Sequence, residues 1–563
     1  MTTEILTTEV LVVGGGTGGT AAALQSARRG AKTLLVSEFP WLGGMLTTAG
    51  VSAPDGNELL AFQTGIWGRF LQALQDRHPQ GLNHGWVSFF NFDPRIGAAI
   101  FADWVRQEPN LNWISGQTPL EVLRRDNQIL GVRFADFTVR AEITLDATEL
   151  GDLLALGDVP HRWGWELHSQ WQEPSAPIIH NELTQTYPIQ APTWVALLQQ
   201  DESAPEIPAA PIDQPEQFAP AYSRYGPEAF LNYGRLPGGL LMINWPHWGN
   251  DYGQGVNRLI ESGAKRQEFL QESFWHTQSF LRWIQAQVGR GYGLAPGVFP
   301  DLLPQTFNQA KWLTSLGSRR TAFALHPYYR ESRRLQGLTT MTELEILPMP
   351  GGQVAALPMN SAGICEAIAL GNYPNDHHYP GWSFPVNLKQ FRWGGRWTGT
   401  PFSISYGALV PEQIDGLLVC EKNISVSHMA NGSTRLQPTV LGIGQAAGMA
   451  AALCIQARCQ PRNLSVQELQ GALLSDPVAP MALVPLLNLP PYHPEWLPWQ
   501  RYYLRHPEAY PAHGNCPLSD SQQARSSFSM SASADPQLQE AQLQGPLQPS
   551  PDNSSGFKPR TIG

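Results

Sequence analysis

Cysteine is scarce and shows no binding pattern. The five in 563 residues (Cys365, Cys420, Cys454, Cys459 and Cys516) form no CxxC pair, and no histidine cluster stands at metal-ligand spacing. That argues against a disulfide framework, an iron–sulfur cluster and a zinc site. Positive charge is also short: 37 basic residues face 47 acidic ones, a net charge of −10. Such a balance disfavours a surface for nucleic acid or for an anionic membrane. Long apolar runs are missing except at residues 441–457, where Gln445 and several glycines interrupt the run. It reads as a packed helix rather than a membrane span. The N-terminus has no signal-peptide pattern, being polar with a strand that starts within ten residues, so a cytoplasmic location is expected. What the chain does have is a hydrophobic content of 42%, enough for a sizeable core. Its length suits two large domains, or one nucleotide domain carrying a big insertion.

The most informative stretch is the start, Glu9-Val-Leu-Val-Val-Gly-Gly-Gly-Thr-Gly-Gly-Thr-Ala-Ala-Ala23. Residues 10–13 are a short β-branched, apolar run of the kind buried in a parallel sheet. Gly14, Gly16 and Gly19 then stand at GxGxxG spacing, with Thr17 and Gly18 between them. The first glycine permits a tight turn, the second admits a pyrophosphate, and the third lets helix and strand pack closely. Residues 21–29 supply the helix, whose N-terminal amides and dipole favour an anion. Residues 34–36 form a second strand, and Glu38 follows at the distance of a carboxylate that bonds a ribose hydroxyl. Strand, glycines, helix, strand and acid in register predict an adenine dinucleotide site.

Trp41-Leu-Gly-Gly-Met45 comes directly after the acid. Here the chain resembles flavoproteins of the glutathione-reductase and fumarate-reductase type, in which a second Gly-Gly pair lies against FAD. The resemblance makes Gly43, Gly44 and Met45 candidates for cofactor contact, where the plain alternative is a turn leaving the strand. A helix is expected over 93–107, then strands at 111–115, 120–124, 129–134 and 138–145. The last runs into Asp146-Ala-Thr-Glu-Leu-Gly-Asp152. Flavoproteins of this group return a strand to the nucleotide sheet at such a point and end it in an Ala-Thr-Gly turn. By that resemblance Ala147 and Thr148 approach the cofactor, although Glu149 stands where the glycine would be.

Residues 160–400 differ in texture and hold twelve of the nineteen tryptophans. Trp163, Trp165, Trp171, Trp245, Trp248, Trp393 and Trp397 lie in loop-like sequence, and a helix is expected over 261–287. An aromatic insertion can build a substrate pocket, although core packing is the commoner use of any one tryptophan. Within it, Leu325-His-Pro-Tyr-Tyr-Arg-Glu-Ser-Arg-Arg334 gathers Arg330, Arg333 and Arg334. As catalytic candidates these arginines can clamp a carboxylate or place a proton donor. As structural ones they would pair with acids such as Glu331 and Glu343.

Near the other end, a strand at 416–420 leads to Asn423-Ile-Ser-Val-Ser-His-Met-Ala-Asn-Gly-Ser-Thr-Arg-Leu-Gln-Pro-Thr439 and a Gly/Ala-rich helix. Pro438 suits a helix's first turn. The pattern resembles the last FAD motif of the FAD-dependent oxidoreductase family related to the fumarate reductase and succinate dehydrogenase flavoproteins. The resemblance implies that Arg435, Gln437, Pro438 and Thr439 lie near the flavin pyrimidine or ribityl chain, with Glu421 toward the ribityl phosphate. Many of these proteins carry Gly-Asp where this chain has Glu421-Lys422. His428 is a candidate base or polarising group, with a loop histidine bonded to backbone as its plain counterpart. No histidine falls within residues 43–50, where relatives can attach FAD covalently, so non-covalent FAD is expected. No second GxGxxG for NAD(P)H is evident.

The fold class expected is therefore α/β: an FAD-binding Rossmann-like domain of glutathione-reductase type, split between residues 1–160 and 401–460. A substrate or cap domain at 161–400 interrupts it, a packing extension follows at 461–510, and a disordered tail at 511–563. The expected function is hydride transfer between a small organic substrate and flavin N5, with a separate electron acceptor. Two alternatives remain: a flavin-dependent isomerase or hydratase without net redox, and a non-catalytic FAD-containing binding protein.

Overall fold

The computed structural model describes residues 4–518 apart from 213–214, 247, 302–315, 383, 385–389 and 394–395. Its centre is a sheet in which β1 (Glu4–Val13) lies parallel to β2 (Thr33–Ser37), and β2 parallel to β3 (Leu111–Ser115). On the other side β1 pairs in parallel with β6 (Phe137–Asp146). The last three residues of β6 take up one more parallel strand, Leu417–Val419. An antiparallel meander, β4 (Glu121–Arg125) and β5 (Gln128–Arg133), joins the first half of β6. The order of the parallel strands reverses between β1 and β6, and such a switch point opens a crevice at the carboxyl ends of the strands.

Residues 10–13 are almost fully buried, as strands covered on both faces must be. The strand nevertheless begins earlier than expected, at Glu4. Its first half is polar and partly exposed, yet still pairs with residues 137–141. The helix α1 (Thr17–Arg28) covers the sheet, and Gln437–Ala457 lies directly on it. A Cβ on Gly444 would come within 2.1 Å of the Gly18 carbonyl oxygen, and one on Gly448 within 2.2 Å of the Ala22 oxygen. Long and apolar enough by composition to cross a membrane, Gln437–Ala457 is mostly buried inside the protein. The helix starts four residues before the apolar run, at Gln437, with Pro438 in its first turn. Two further helices pack against this helix pair: α2 (Gly65–Arg77) on Gln437–Ala457, and α3 (Pro94–Gln107) on α2 and α1, the latter capped by Asp93, whose side chain accepts from the Arg95 amide.

The inserted region builds its own antiparallel sheet from Tyr292–Leu294, Ala196–Gln200 and Leu240–Ile243. The long helix Gly263–Val288 packs on it, one residue beyond the expected end. Trp194, Phe218, Phe269 and Phe274 are buried in this second core, which also reaches Phe39, Met45 and Leu150 of the nucleotide fold. Of the tryptophans named above, Trp245 and Trp163 are packed in it or beside it, Trp245 lying 4.4 Å from Tyr233, centroid to centroid, and Trp163 donating to Asn257, while Trp165 is buried in a separate small cluster. Trp171 sits in a short helix, Trp248 is the exposed one, and Trp393 and Trp397 lie in a hairpin of Gln390–Trp393 and Arg396–Gly399.

Residues 511–518 are not a loose tail. The Ala512 carbonyl accepts from the Gln353 and Val354 amides, the Gly514 carbonyl from Leu487, and Cys516 and Leu518 are buried. Their polar composition hides these backbone contacts, and residues 519–563 lie outside the described part of the chain.

The contact between α1 and Gln437–Ala457 leaves no space for a methyl group. Gly448→Ala is expected to destabilise the protein by about 1–3 kcal/mol through overpacking. Gly471→Ala, in the helix Val466–Leu474 with open space around its Cα, is expected to be neutral or stabilising by up to ~1 kcal/mol. Denaturant midpoints of the two variants, measured side by side, check this; equal midpoints would show that the helices can separate without cost.

Candidate functional site

The glycine loop closes β1 and opens α1. A Cβ on Gly14 would meet the Ala147 carbonyl at 2.1 Å, one on Gly18 the Cys420 carbonyl at 1.7 Å, and one on Gly19 the Gly14 carbonyl at 2.2 Å. Three of the glycines thus let α1, β6 and the C-terminal strand meet backbone to backbone. Gly16 differs: its missing Cβ faces the carboxylates of Glu421 and Glu149, at 2.4 and 3.1 Å. The Gly43–Gly44 turn has left-handed dihedrals (φ 105° and 52°) and rests on the same loop, 2.5 Å from the Thr17 amide nitrogen by the same measure. Thr17 ties the two together, its hydroxyl donating to the Gly43 carbonyl and accepting from the Met45 amide.

A cavity of about 380 Å³ opens here, at the strands' carboxyl ends. Gly14, Gly16, Glu38, Ala147, Thr148 and Glu149 line it from the nucleotide fold, and His326, Tyr329, Arg266 and Arg333 from the insertion. Thr148 donates to the Asp146 carboxylate through both its amide and its hydroxyl. Burial pushes Asp146 up to about 6 against those two bonds. His326 bonds Thr48 at 2.9 Å and stacks on Phe39 at 4.8 Å.

Beside the loop stands a buried charge triad. Lys422 Nζ contacts Glu149 Oε2 at 2.8 Å and Glu421 Oε2 at 3.2 Å, while Glu421 Oε1 accepts the Gly18 amide at 2.6 Å. Burial pushes Glu421 up to about 7 despite Lys422. Glu149, less buried at the cavity wall, is held below its usual range by Lys422 and His326 although burial opposes them.

The predicted residues of the C-terminal motif gather outside the lining of this cavity. His428 begins a short helix, His428–Thr434, capped by the Ser427 side chain. It is a buried network residue, not a backbone-bonded loop histidine: Nδ1 lies 2.9 Å from Glu331 and Nε2 2.5 Å from the Tyr379 hydroxyl. Trp165 packs on the imidazole at 4.0 Å. Arg435 donates to the Tyr328 hydroxyl at 2.6 Å and to Asp376 at 2.9 Å. Gln437 accepts weakly from the Asp55 amide at 3.5 Å, and Pro438 and Thr439 are buried at the start of the long helix. Among the described residues, Thr439 Oγ1, Ser433 Oγ, Asn431 Nδ2 and Arg435 Nε are buried with no hydrogen-bond partner.

The arginine cluster separates by role. Arg334 is fully buried against Glu166 and Glu331, and Arg330 is buried against Asp251 and the Ala191 carbonyl. Neither lines the cavity. Both are structural, but the ion pairs lie inside the insertion, and the link to the C-terminal segment is the donation from Arg334 to the Val426 carbonyl at 3.1 Å; of the acids named for the structural alternative, Glu331 pairs and Glu343 instead accepts from Ser175. Arg333 does reach the cavity, with its charge shared with Asp152 at 3.0 Å.

The segment 375–379, Asn-Asp-His-His-Tyr, drew no notice in the sequence. Its extended backbone sends Asp376 and His378 to one side and His377 and Tyr379 to the other. His378 lies between Asp251 and Asp376, 2.7 Å from each. Arg330 and His378 keep Asp251 well below the carboxylate range although burial opposes them. His377 bonds the Tyr379 hydroxyl at 2.9 Å, extending the His428 network. The available sequence signal was two adjacent histidines flanked by an acid and a tyrosine, and nothing in their spacing tells which partners they meet.

Compared with known proteins, residues 9–473 match the family described as FAD dependent oxidoreductase. Over 184 residues the chain is 28% identical to tRNA uridine 5-carboxymethylaminomethyl modification enzyme MnmG of Aliarcobacter butzleri (strain RM4018). That match covers 29% of this chain and 28% of the enzyme, so the chain spans little more than a quarter of that curated relative. Among solved structures, L-proline dehydrogenase from P. horikoshii is similar at 13% identity and a TM-score of 0.23, covering 35% of this chain and 61% of that one. A geranylgeranyl bacteriochlorophyll reductase-like protein from Thermoplasma acidophilum is similar at 8% identity and a TM-score of 0.30, covering 93% and 96%. The family match takes in both the glycine loop and the C-terminal motif: the chain belongs to the FAD dependent oxidoreductase family, and FAD is its cofactor.

Proposed function

We propose that the protein moves a hydride between a small organic substrate and N5 of a non-covalently held FAD. The observation that carries this reading is the convergence of the glycine loop, Glu38 and Thr148 on one cavity, with the Gly43–Gly44 turn resting on that loop, together with buried polar atoms at the head of Gln437–Ala457 that have no hydrogen-bond partner among the described residues. These features suit the two ends of the cofactor. Gly16 supplies a surface where a side chain would block a pyrophosphate. Thr17 and Gly18 open α1 with amides that favour negative charge. Glu38 would accept from a ribose hydroxyl, and Gly14, Gly19 and Ala147 keep the strands and α1 in contact behind it. Gly43, Gly44 and Met45 would flank the middle of the cofactor.

At the other end the N-terminus of Gln437–Ala457, with Gln437, Pro438 and Thr439 in its first turn, would stabilise negative charge on a reduced pyrimidine ring. Arg435 would add a fixed cation there. The likeness of this motif to the fumarate reductase and succinate dehydrogenase flavoproteins supports the same placement. Bound FAD supplies the redox chemistry; the protein binds, orients and excludes water. His428, wedged between Glu331 and Tyr379, can hold or pass a proton at Nε2. The net charge of −10 supports a small-molecule substrate over nucleic acid.

The first test is the visible spectrum of the purified protein. Bands at about 370 and 450 nm that move to the supernatant on denaturation, with the mass of FAD, are expected; a colourless protein that cannot be reconstituted sinks the reading. Arg435→Ala is expected to weaken FAD affinity about tenfold or more, or to lower the flavin potential, as loss of a charge-assisted contact does. Unchanged affinity and potential would remove Arg435 from the cofactor's surroundings. With a reducing substrate in hand, His428→Gln is expected to slow anaerobic flavin bleaching about a hundredfold at unchanged FAD content. Bleaching at the wild-type rate would make His428 a packing residue.

A further inference from the structure

The network around His428 has a hydrogen-bond direction that its end atoms fix. His377 Nε2 lies 3.1 Å from the Met429 carbonyl and 3.1 Å from Asn375 Oδ1. A backbone carbonyl can only accept, so Nε2 carries a hydrogen. At the opposite end His428 Nδ1 faces Glu331 Oε1 at 2.9 Å, and that oxygen also pairs with Arg334 at 3.1 Å. It acts as an acceptor, so Nδ1 carries a hydrogen too. Between the two rings stands the Tyr379 hydroxyl, 2.9 Å from His377 Nδ1 and 2.5 Å from His428 Nε2. It has one hydrogen to give and two nitrogens to meet. With both imidazoles neutral the two inner nitrogens are bare, and one of them faces only the oxygen's lone pairs. With both charged, neither nitrogen can accept the Tyr379 hydrogen, and two cations stand 5.4 Å apart, centroid to centroid. One extra proton satisfies every contact.

We propose that His428, Tyr379 and His377 form a proton wire that carries one proton between the buried His428–Glu331 pair and the partly exposed imidazole of His377. The wire goes beyond the function proposed above, which gives a proton role to His428 alone. With the charge on His428, Nε2–H donates to the Tyr379 oxygen and Tyr379 donates to His377 Nδ1. In the transfer the His428 N–H bond breaks and its proton joins the Tyr379 oxygen. At the same time the Tyr379 O–H bond breaks and that proton joins His377 Nδ1. Tyr379 ends neutral, and the charge has crossed from one ring to the other. Tyr379 is therefore a positioning residue: burial holds its phenol well above the ordinary range, so it passes a proton without keeping a charge. His428, Glu331 and Tyr379 are buried and Trp165 covers the His428 ring, whereas His377 is half-buried. The other charged groups facing the wire are Glu166, which accepts the His428 amide, and Glu173, which accepts the Ser427 hydroxyl. Arg334, Arg435 and Asp376 face Tyr379.

A shared proton has a signature that packing alone does not give: two rings that exchange it titrate as one system with a common midpoint. The test follows the ring NMR signals of histidine in isotope-labelled, full-length protein as purified, from about pH 5 to about pH 9. His377→Gln and His428→Gln assign the two signals. In the wild-type protein both are expected to shift together, with one midpoint. Tyr379→Phe removes the hydroxyl and keeps the ring, and it is expected to split that midpoint into two. Trp165→Phe, which changes only the ring packed on His428, is expected to leave the common midpoint in place. Two separate midpoints in the wild-type protein overturn the proposal without any variant, even if Tyr379→Phe fails to fold. So does a common midpoint that survives in Tyr379→Phe. The titration needs no substrate and no flavin signal, so its failure is distinguishable from failure of the flavin reading, which the visible spectrum decides.

Discussion

Everything in this fold hangs on backbone meeting backbone without side chains between. Gly18, Gly444 and Gly448 let α1 and the helix Gln437–Ala457 touch at distances that no Cβ could enter, and Gly14 and Gly19 do the same for α1 against β6. Close approach of this kind brings dispersion contacts and aligned dipoles that a layer of side chains would dilute. It also fixes geometry. With α1 pressed on both β6 and the C-terminal strand, the loop at its head has one possible shape, and the segments that surround that loop come from residues as far apart as 14 and 421.

Around this apolar frame the protein uses charge as a fastener. Arg330, Arg333 and Arg334 each have a buried or half-buried acid, and removal of one partner from such a pair would leave an uncompensated ion. Such pairs add little net stability over hydrophobic packing; Arg333 with Asp152 joins the insertion to the first segment, while Arg330 and Arg334 pair with acids inside the insertion. The segment 375–379 does similar work with alternation alone, each side of an extended strip feeding a different network. The site is thereby held between two rigid surfaces, the glycine loop below and a polar lattice above.

How much of this could be read from the chain varied with distance in sequence. The glycine loop, β2 with Glu38 after it, the meander and the helix after Pro438 all declare themselves locally, through turn chemistry and periodicity. The first half of β1 did not, because Thr7, Thr8 and Glu9 carry a pattern that only pairing with the first half of β6 justifies. The arginines were visible but their partners were not: Asp251 lies 79 positions from Arg330, and Glu166 lies 168 from Arg334. Asp376 and His378 left no trace, since a relay of ion pairs has no spacing rule. Residues 511–518 misled for the opposite reason: poor in apolar side chains, they are anchored by carbonyls.

The strand Leu417–Val419 closes against residues 144–146 of β6, and this sets an order in time as well as in space. A ribosome delivers β6 with that edge bare, and its partner follows about 270 residues later, roughly 15–50 s at ~5–20 residues per second. For that interval the nascent sheet shows open hydrogen-bonding groups at the end where the cofactor belongs, a template for wrong pairing. The polar, twisted meander shields only the other half of the edge. Until Val419 arrives the sheet lacks its last parallel strand, so flavin present during synthesis would find no complete fold to bind before then.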